Sequence, residues 1–248
     1  MKFIVQDVPI PWDFVMELYR SQEYYKWRGD SFDIVKFGST LPNNPREYCP
    51  VGSVEFVVDW LETYWGKRPS PINCPDIFDV EQIHLPTPLI PIDEIKKSFP
   101  RYTEFFIKSE RTIKSPINGK YTINDTRLDS PFSDPVVIRP WRSDIVSEWR
   151  IFVKDGKILD IKSYSGDPFK IPERCVCEKH CKAYHLLTDS PAFTLDVAVT
   201  EILDVYLNHT DLMIIEIHDF FSCGTYGFSD YRSYPIMLWR WFNWFIKK

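Results

Sequence analysis

Glycine is scarce in this sequence, and the two commonest glycine-rich nucleotide-binding loops are missing from it. The chain has nine glycines among 248 residues, and it contains neither G-x-x-x-x-G-K-S/T nor G-x-G-x-x-G. Both loops use glycines so that backbone N–H groups can approach phosphates closely. The sequence therefore argues against the P-loop and Rossmann classes of nucleotide-binding protein.

Long apolar runs and an excess of positive charge are also lacking. No uninterrupted apolar run approaches the roughly 18 to 20 residues of a membrane helix, and the N-terminal segment MKFIVQDVPIPWDF lacks the apolar stretch of a signal peptide. The net charge is −5, from 30 basic and 35 acidic residues, so no overall basic field favours duplex nucleic acid. These absences predict a cytoplasmic protein without a membrane partner, and they disfavour a nucleic-acid partner.

Hydrophobic and aromatic residues, by contrast, are plentiful. They make up 44% and 16% of the chain, which is enough for a packed core in one large domain or in two to three subdomains. Composition thus predicts a folded chain.

Three of the six cysteines cluster with two histidines in the segment CVCEKHCKAYH. These residues are Cys175, Cys177, His180, Cys181 and His185. They are ligand types that Zn²⁺ accepts, but C-x-C-x₃-C is not the usual paired C-x₂-C knuckle. A solvent-facing loop of free thiols in a reducing cytoplasm is the simpler interpretation, and structural zinc is the alternative.

We divide the chain into an N-terminal unit at residues 1–91, a middle unit at 92–145 and a last unit at 146–248. In the first, apolar spacing predicts a helix over Trp12 to Trp27, and Ser53 has the position of an N-cap for a second helix. The proline-rich end of this unit predicts an extended linker.

The other two units alternate short strands and helices. The middle unit is predicted to hold a helix at 92–99, strands at 102–108 and 134–141, and a hairpin turn at Asn118-Gly119. The last unit is predicted to hold an antiparallel pair around the turn Asp155-Gly156, a helix at 193–207, a strand at 211–217 and a helix at 234–245.

Charged side chains lie at defined places along these elements. Glu216 and His218 alternate with Ile217 along a strand, so they point to the same face, and Asp196 stands at the head of the helix predicted before it. Paired carboxylates suit a hard divalent cation, and Lys108 at the end of a strand suits a phosphate. The residues therefore predict a metal and phosphate site.

An ordered set of segments gives the chain a resemblance to a known family. The segments are VGSVEFV, FFIK, VVIRPW, SEWRIFVKDGKILDIKSYSGD, LDVAV and IIEIHDFFSCGTYGF. In this order they resemble the ATP-grasp superfamily, in particular its R2K clade, from about residue 50 onward. The resemblance implies an α+β fold with a nucleotide cleft between two α+β subdomains, 92–145 as the lid and 146–248 as the core with the metal site, behind an N-terminal α/β unit.

The same resemblance implies roles for individual residues in binding ATP. Lys108 matches the strand lysine that reaches the nucleotide phosphates, and Lys114 would lie on a hairpin over them. Arg150 matches the arginine of an E-x-R strand, which holds the γ-phosphate or an acyl phosphate, so that Lys114 and Arg150 are the catalytic candidates. The remaining nucleotide-binding candidates are Glu148 and the hinge residues Val137, Ile138, Arg139 and Trp141.

Metal binding is implied for Asp196, Glu216 and His218, with Mg²⁺ as the ion and Mn²⁺ as an alternative. His218 stands where the family commonly has Asn, so that a supporting role behind the carboxylates is an alternative to ligation. Ser222, Gly224 and Tyr226 match the loop that follows the metal strand.

The activity that the resemblance implies is ATP-dependent ligation of a carboxylate to an amine through an acyl phosphate, with release of ADP and phosphate. The partners would be ATP and small-molecule or peptide carboxylates and amines, with acceptor loops in the N-terminal unit and at 168–190. One alternative is an ATP-binding assembly factor for a protein partner, as in a family of cell-division proteins. A nucleotidyltransferase with a lysine nucleophile ranks last, because the segment KSER at Lys108 lacks the K-x-D-G pattern.

Overall fold

A computed structural model describes residues 1–38, 41–72, 74–75, 78, 80, 82–85, 92–129, 134–201, 210–228 and 230–248. Five helices are seen in this part of the chain: α1 Asp13–Arg28, α2 Val54–Trp65, α3 Ile92–Ser98, α4 Arg174–Thr188 and α5 Tyr234–Phe245. Its strands are β1 Lys2–Gln6, β2 Asp33–Phe37, β3 Cys49–Val51, β4 Ile83–Leu85, β5 Glu104–Ser109, β6 Gly119–Thr122, β7 Val136–Pro140, β8 Ile145–Lys154, β9 Lys157–Gly166, β10 Ala192–Glu201 and β11 Thr210–Asp219.

The first sheet is parallel, with strand order β2-β1-β3. Parallel strands need a crossover connection, and α1 supplies it between β1 and β2. The two helices predicted in this unit are confirmed, and both pack with the C-terminal helix α5 into one apolar core. Trp241 of α5 is fully buried there, which explains the dense aromatic sequence of that helix.

Ser53 caps α2 as predicted, because its hydroxyl accepts a hydrogen bond from the backbone N–H of Phe56 at 3.1 Å. We expect Ser53→Ala to lower the free energy of unfolding by about 1 kcal/mol, the usual value of such a cap. Ser165→Ala, at an exposed position of β9, is the matched control and should change it by less than about 0.5 kcal/mol. Urea denaturation measures both, and equal values for the two variants would contradict a stabilising cap.

The second sheet is antiparallel, with strand order β4-β7-β5-β6. The Asn118-Gly119 hairpin turn predicted from the sequence is wrong, because Ile107 pairs with Gly119 and a nine-residue connection, 110–118, joins β5 to β6. Asn118 instead anchors this connection, since its Oδ1 accepts a hydrogen bond from the backbone N–H of Ser109 at 2.8 Å. The hydrogen bond from the backbone of Ser109 to the Asn118 side chain thus closes this longer connection, and no two-residue turn is formed there.

The third sheet is also antiparallel, with strand order β11-β10-β8-β9. Its hairpin turn at Asp155-Gly156 is confirmed, and both residues have positive φ, 51° and 69°. That combination is the type I′ turn, whose twist matches that of the flanking strands. On one face of this sheet α4 buries Cys177 and Cys181 in an apolar cluster, and the other face contributes Phe152 and Ala192 to the core around α5.

The helix predicted at 193–207 is wrong, because β10 covers residues 192–201, while residues 202–207 lie outside the described part of the chain. β10 has a strand on each side and layers on both faces, so nearly all of its side chains are buried. A strand buried on both faces is a continuous apolar run, which periodicity cannot distinguish from a buried helix. Asp196 therefore lies in the middle of a strand rather than at the head of a helix.

The cysteine cluster lies on a helix, which corrects the prediction of a loop over residues 168–190. Cys177 and Cys181 are buried in the core while Cys175 is exposed, so that the three thiols do not converge. Desolvation raises the pKa of Cys177 to about 11 and that of Cys181 to about 12. Neutral buried thiols of this kind are core residues.

No helix within the described ranges combines the length and the apolar character that crossing a membrane requires.

Candidate functional site

Two cavities adjoin each other between the second and third sheets. The first, called here the apolar cavity, has a volume of about 260 Å³. It is lined by Ile72, Phe106, Lys108, Val137, Arg139, Pro140, Trp141, Arg142, Ile145, Glu148, Met213, Ile215 and Glu216. Its walls are mainly aliphatic and aromatic, as in sites that hold a flat organic group.

The second, called here the polar cavity, has a volume of about 230 Å³. Its charged lining residues are Lys108, Lys114, Arg150, Glu216, His218 and Asp219. Lys108 and Glu216 line both cavities and form an ion pair. The junction between an apolar and a charged compartment is thus occupied by one cation and one anion.

Strand β7 presents alternate side chains to the apolar cavity. Val137 and Arg139 line it, whereas Ile138 is fully buried in the core of the second sheet. Arg139 also spans the two sheets, because its Nη1 donates to the carbonyl of Ile215 at 2.8 Å. The last of the predicted hinge residues, Trp141, lies just beyond β7 and also lines the cavity.

The register of the third sheet brings three charged residues into one row. Arg150 of β8 is the cross-strand partner of Asp196 of β10, and Asp196 is the partner of Glu216 of β11. Directly opposed residues share a face, with Cβ atoms about 4.5 to 5.5 Å apart. The row therefore lies on one face of the sheet, although its members are far apart in the sequence.

Arg150 and Asp196 form a buried bidentate ion pair. The guanidinium donates from Nε to Oδ1 at 2.8 Å and from Nη2 to Oδ2 at 2.7 Å, and the two side chains are only 9% and 6% exposed. Burial opposes ionisation of Asp196, but hydrogen bonds from Arg150 and His218 outweigh it and hold its pKa below the ordinary value. The carboxylate is charged at neutral pH.

Glu216 has a basic side chain at each oxygen. Lys108 is paired with Oε1, and His218 Nε2 lies 3.1 Å from Oε2. Burial acts against the charged form, yet the hydrogen bond and charge of His218, together with Lys108, lower the pKa of Glu216 to about 2. Because its side chain is still 32% exposed, this carboxylate is accessible from the cavities.

His218 lies between the two carboxylates of the row. Its Nε2 is 3.6 Å from Asp196 Oδ2 in addition to the contact with Glu216. Burial lowers the pKa of His218, but its contacts with the two carboxylates raise it by more. In this position the imidazole can hold both carboxylates in place.

The remaining predicted residues lie at the cavity walls. Lys114 lines the polar cavity with a left-handed backbone, φ 53°, and Glu148 lines the apolar cavity. Sequence reasoning missed Ile72, which lines both cavities from the proline-rich segment. A single isoleucine in such a segment carries no pattern that would have identified it.

The family comparison agrees with this geometry. Residues 90–235, more than half of the chain, match the family described as ATP-grasp domain, R2K clade family 2. The chain belongs to this ATP-grasp family. Membership implies a nucleotide-binding protein. No curated protein matches the chain in sequence at a significant level.

Solved structures of ATP-grasp enzymes have the same fold. The D-cycloserine synthetase DcsG is 12% identical with a TM-score of 0.55, and the match covers 96% of this chain and 98% of that one. D-alanine–D-alanine ligase from Bacillus anthracis, complexed with ATP, is 13% identical with a TM-score of 0.53 and coverages of 100% and 98%. At these identities the similarity establishes the fold, which confirms the α+β ATP-grasp class.

The ATP-grasp family implies a magnesium ion, and the acids of the row fit one in donor chemistry. Within the described residues, no three His, Cys, Asp or Glu side chains are grouped so as to hold a metal by themselves. Mg²⁺ is usually bound by one or two carboxylates together with phosphate oxygens and waters. Glu216 supplies one such carboxylate at the wall of the polar cavity, and Asp196 lies behind it with both oxygens bound by Arg150, so that a nucleotide would complete the set.

Proposed function

We propose that this ATP-grasp protein is an ATP-dependent carboxylate–amine ligase that forms an acyl phosphate. The observation that carries the proposal is the row Arg150, Asp196 and Glu216 facing Lys108 across the junction of the two cavities. Cations that hold phosphates and carboxylates that hold a metal are the two requirements of phosphoryl transfer. Side chains of both kinds lie at this junction.

The shape of the cavities supports one orientation of the nucleotide. The apolar cavity suits the adenine ring, with Trp141 and Val137 at its wall, and the triphosphate would pass Lys108 into the polar cavity. For this to happen Lys108 must exchange Glu216 for a phosphate oxygen. The exchange frees an oxygen of Glu216 as the nucleotide arrives, so that binding of phosphate and of metal are coupled.

In the first chemical step a carboxylate oxygen of the substrate attacks the γ-phosphorus. The bond from that phosphorus to the β,γ-bridging oxygen breaks, and ADP leaves. Lys108 and Arg150 stabilise the charge on the transferred group from opposite walls. Mg²⁺, when bound, would neutralise further charge on the triphosphate.

In the second step an amine nitrogen attacks the acyl carbon, the carbon–oxygen bond to phosphate breaks, and the nitrogen loses a proton. The substrate carboxylate and amine would occupy the part of the polar cavity that Val54, Ile72 and Lys114 line. Helix α2, the proline-rich segment after it and the connection between β5 and β6 thus contribute to the same compartment.

The proposal is tested by following ADP release with pools of carboxylates and amines, and with hydroxylamine in place of the amine. A ligase gives ADP in proportion to hydroxamate, because hydroxylamine traps acyl phosphates. ATP binding without ADP release in any pool would favour the assembly-factor alternative. Label from ATP retained on a lysine as AMP would favour the nucleotidyltransferase instead.

Lys108→Met should weaken the affinity for ATP by about 10- to 100-fold, since a hydrogen bond to a charged group contributes about 1.5 to 3 kcal/mol. Lys157→Met, at the exposed start of β9, is the control and should leave the affinity unchanged. Isothermal titration calorimetry with a non-hydrolysable ATP analogue measures both. If Lys108→Met bound the ATP analogue as tightly as the unaltered protein does, the triphosphate would not contact Lys108.

A further inference from the structure

The guanidinium of Arg150 is held on more than its Asp196 edge. Its Nη1 donates to the carbonyl of Gly224 at 3.2 Å, and its central carbon lies 5.0 Å from the ring centroid of Tyr226. Three hydrogen bonds use three of the five guanidinium N–H donors. Among the described residues the other two have no acceptor, and because Arg150 lines the polar cavity, a ligand there could accept from them.

Tyr226 is itself held on its other side. Its ring stacks on Tyr164, with the centroids 5.1 Å apart and the planes 25° from parallel. Burial, together with the charges of Asp196 and Glu148, raises the pKa of Tyr164, so its phenol is neutral. Arg150, Tyr226 and Tyr164 thus form a column in which a cation lies over the first of two stacked rings.

The backbone of the loop that carries Tyr226 has an unusual conformation. Tyr226 has a φ of 46°, and Ser222 in the same loop has a φ of 52°. Residues other than glycine adopt this region rarely, and such a conformation persists where surrounding contacts determine it. Two such residues beside a site favour a functional role for the loop.

Contacts with the first unit hold this loop in place. The backbone N–H and the hydroxyl of Thr225 both donate to Asp13 Oδ2 at 2.6 Å, and the Ser222 hydroxyl donates to the carbonyl of Gly52 at 2.8 Å. Despite these ties Tyr226 is 47% exposed. Core packing therefore does not explain why its ring is held over Arg150.

We propose that Tyr226 is a positioning residue that holds the plane of the Arg150 guanidinium for the γ-phosphoryl group. The bonds to Asp196 and to the carbonyl of Gly224 hold the guanidinium by its edges, and the Tyr226 ring supports its face. The ring would limit tilting of the group out of its plane and so keep the two remaining N–H donors available to the polar cavity. This inference rests on the proposed function, because it needs a nucleotide whose γ-phosphate lies near Arg150.

The test compares the affinities for ADP and for a non-hydrolysable ATP analogue, both with Mg²⁺, by isothermal titration calorimetry. Tyr226→Leu should weaken binding of the ATP analogue by about 5- to 30-fold, the range expected for a lost cation–π contact, and leave ADP binding unchanged. Tyr226→Phe keeps the ring and should retain both affinities within about 2-fold. In an Arg150→Lys background, Tyr226→Leu should have no further effect.

Three outcomes would overturn the inference. The first is an unchanged ratio of the two affinities in Tyr226→Leu. The second is a loss in Tyr226→Phe as large as in Tyr226→Leu, which would assign the effect to the hydroxyl. The third is an undiminished effect in the Arg150→Lys background, which is also what general misfolding would give. If the unaltered protein binds neither nucleotide, the proposed function falls as well, and this result is distinct from the other three.

Discussion

Glu216→Gln should remove ligase turnover, with kcat for ADP release reduced by at least about 10³-fold, since a catalytic metal supplies several kcal/mol of transition-state stabilisation. Gln has the same shape but replaces an anionic oxygen by an amide. It would weaken metal binding and leave Lys108 without its partner. Because His218 and Lys108 hold the pKa of Glu216 at about 2 in the folded protein, we expect loss of the carboxylate also to lower the free energy of unfolding at neutral pH.

Glu201→Gln is the matched control. Glu201 ends β10 away from both cavities, is largely exposed, and pairs with Lys170 at 3.6 Å. Because it lines neither cavity, its substitution should leave kcat unchanged. If Glu216→Gln retained more than about one tenth of kcat, Glu216 would not be a ligand of the metal.

Arg150→Met should both destabilise the protein and abolish turnover. Breaking a buried ion pair by removing one partner costs about 3 to 5 kcal/mol, because it leaves an uncompensated buried charge. Asp196, with both oxygens bound by Arg150, would be that charge. Loss of a phosphate cation should also reduce kcat by at least about 10²-fold. Urea denaturation and ADP release measure the two effects separately.

The double variant Arg150→Met with Asp196→Leu separates stability from chemistry. Apolar residues that replace a buried ion pair are often neutral or stabilising, so that the double variant should regain most of the lost free energy of unfolding. Its turnover should stay absent. A double variant that regained activity would show that Arg150 serves the fold alone, and an Arg150→Met protein as stable as the original would contradict the buried pair.

Much of the site could be read from local patterns. The alternation of Glu216 and His218 along a strand, the E-x-R strand with Arg150 and the turn that follows it are all found in the structure. These features depend on two-residue periodicity and on turn chemistry, which act within a few residues. Local physics of this kind is visible in one sequence.

The contacts between distant segments could not be read in this way. Arg150 and Asp196 are 46 residues apart in the sequence. Their pairing depends on the register of β8 and β10, and no local pattern encodes that register. The helix predicted over β10 failed for a related reason, since burial on both faces removes the alternation that marks a strand. The ring of Tyr226 over Arg150 needs a loop conformation that the first unit determines.

Lys108 gives the most direct test of the account of the site, because its partner should change when ATP binds. A crystal structure of the protein with a non-hydrolysable ATP analogue and Mg²⁺ would show this. We expect adenine in the apolar cavity, the γ-phosphate in contact with Lys108 and Arg150, and the metal on Glu216. A nucleotide bound elsewhere, with Lys108 and Glu216 still paired, would contradict the proposed site.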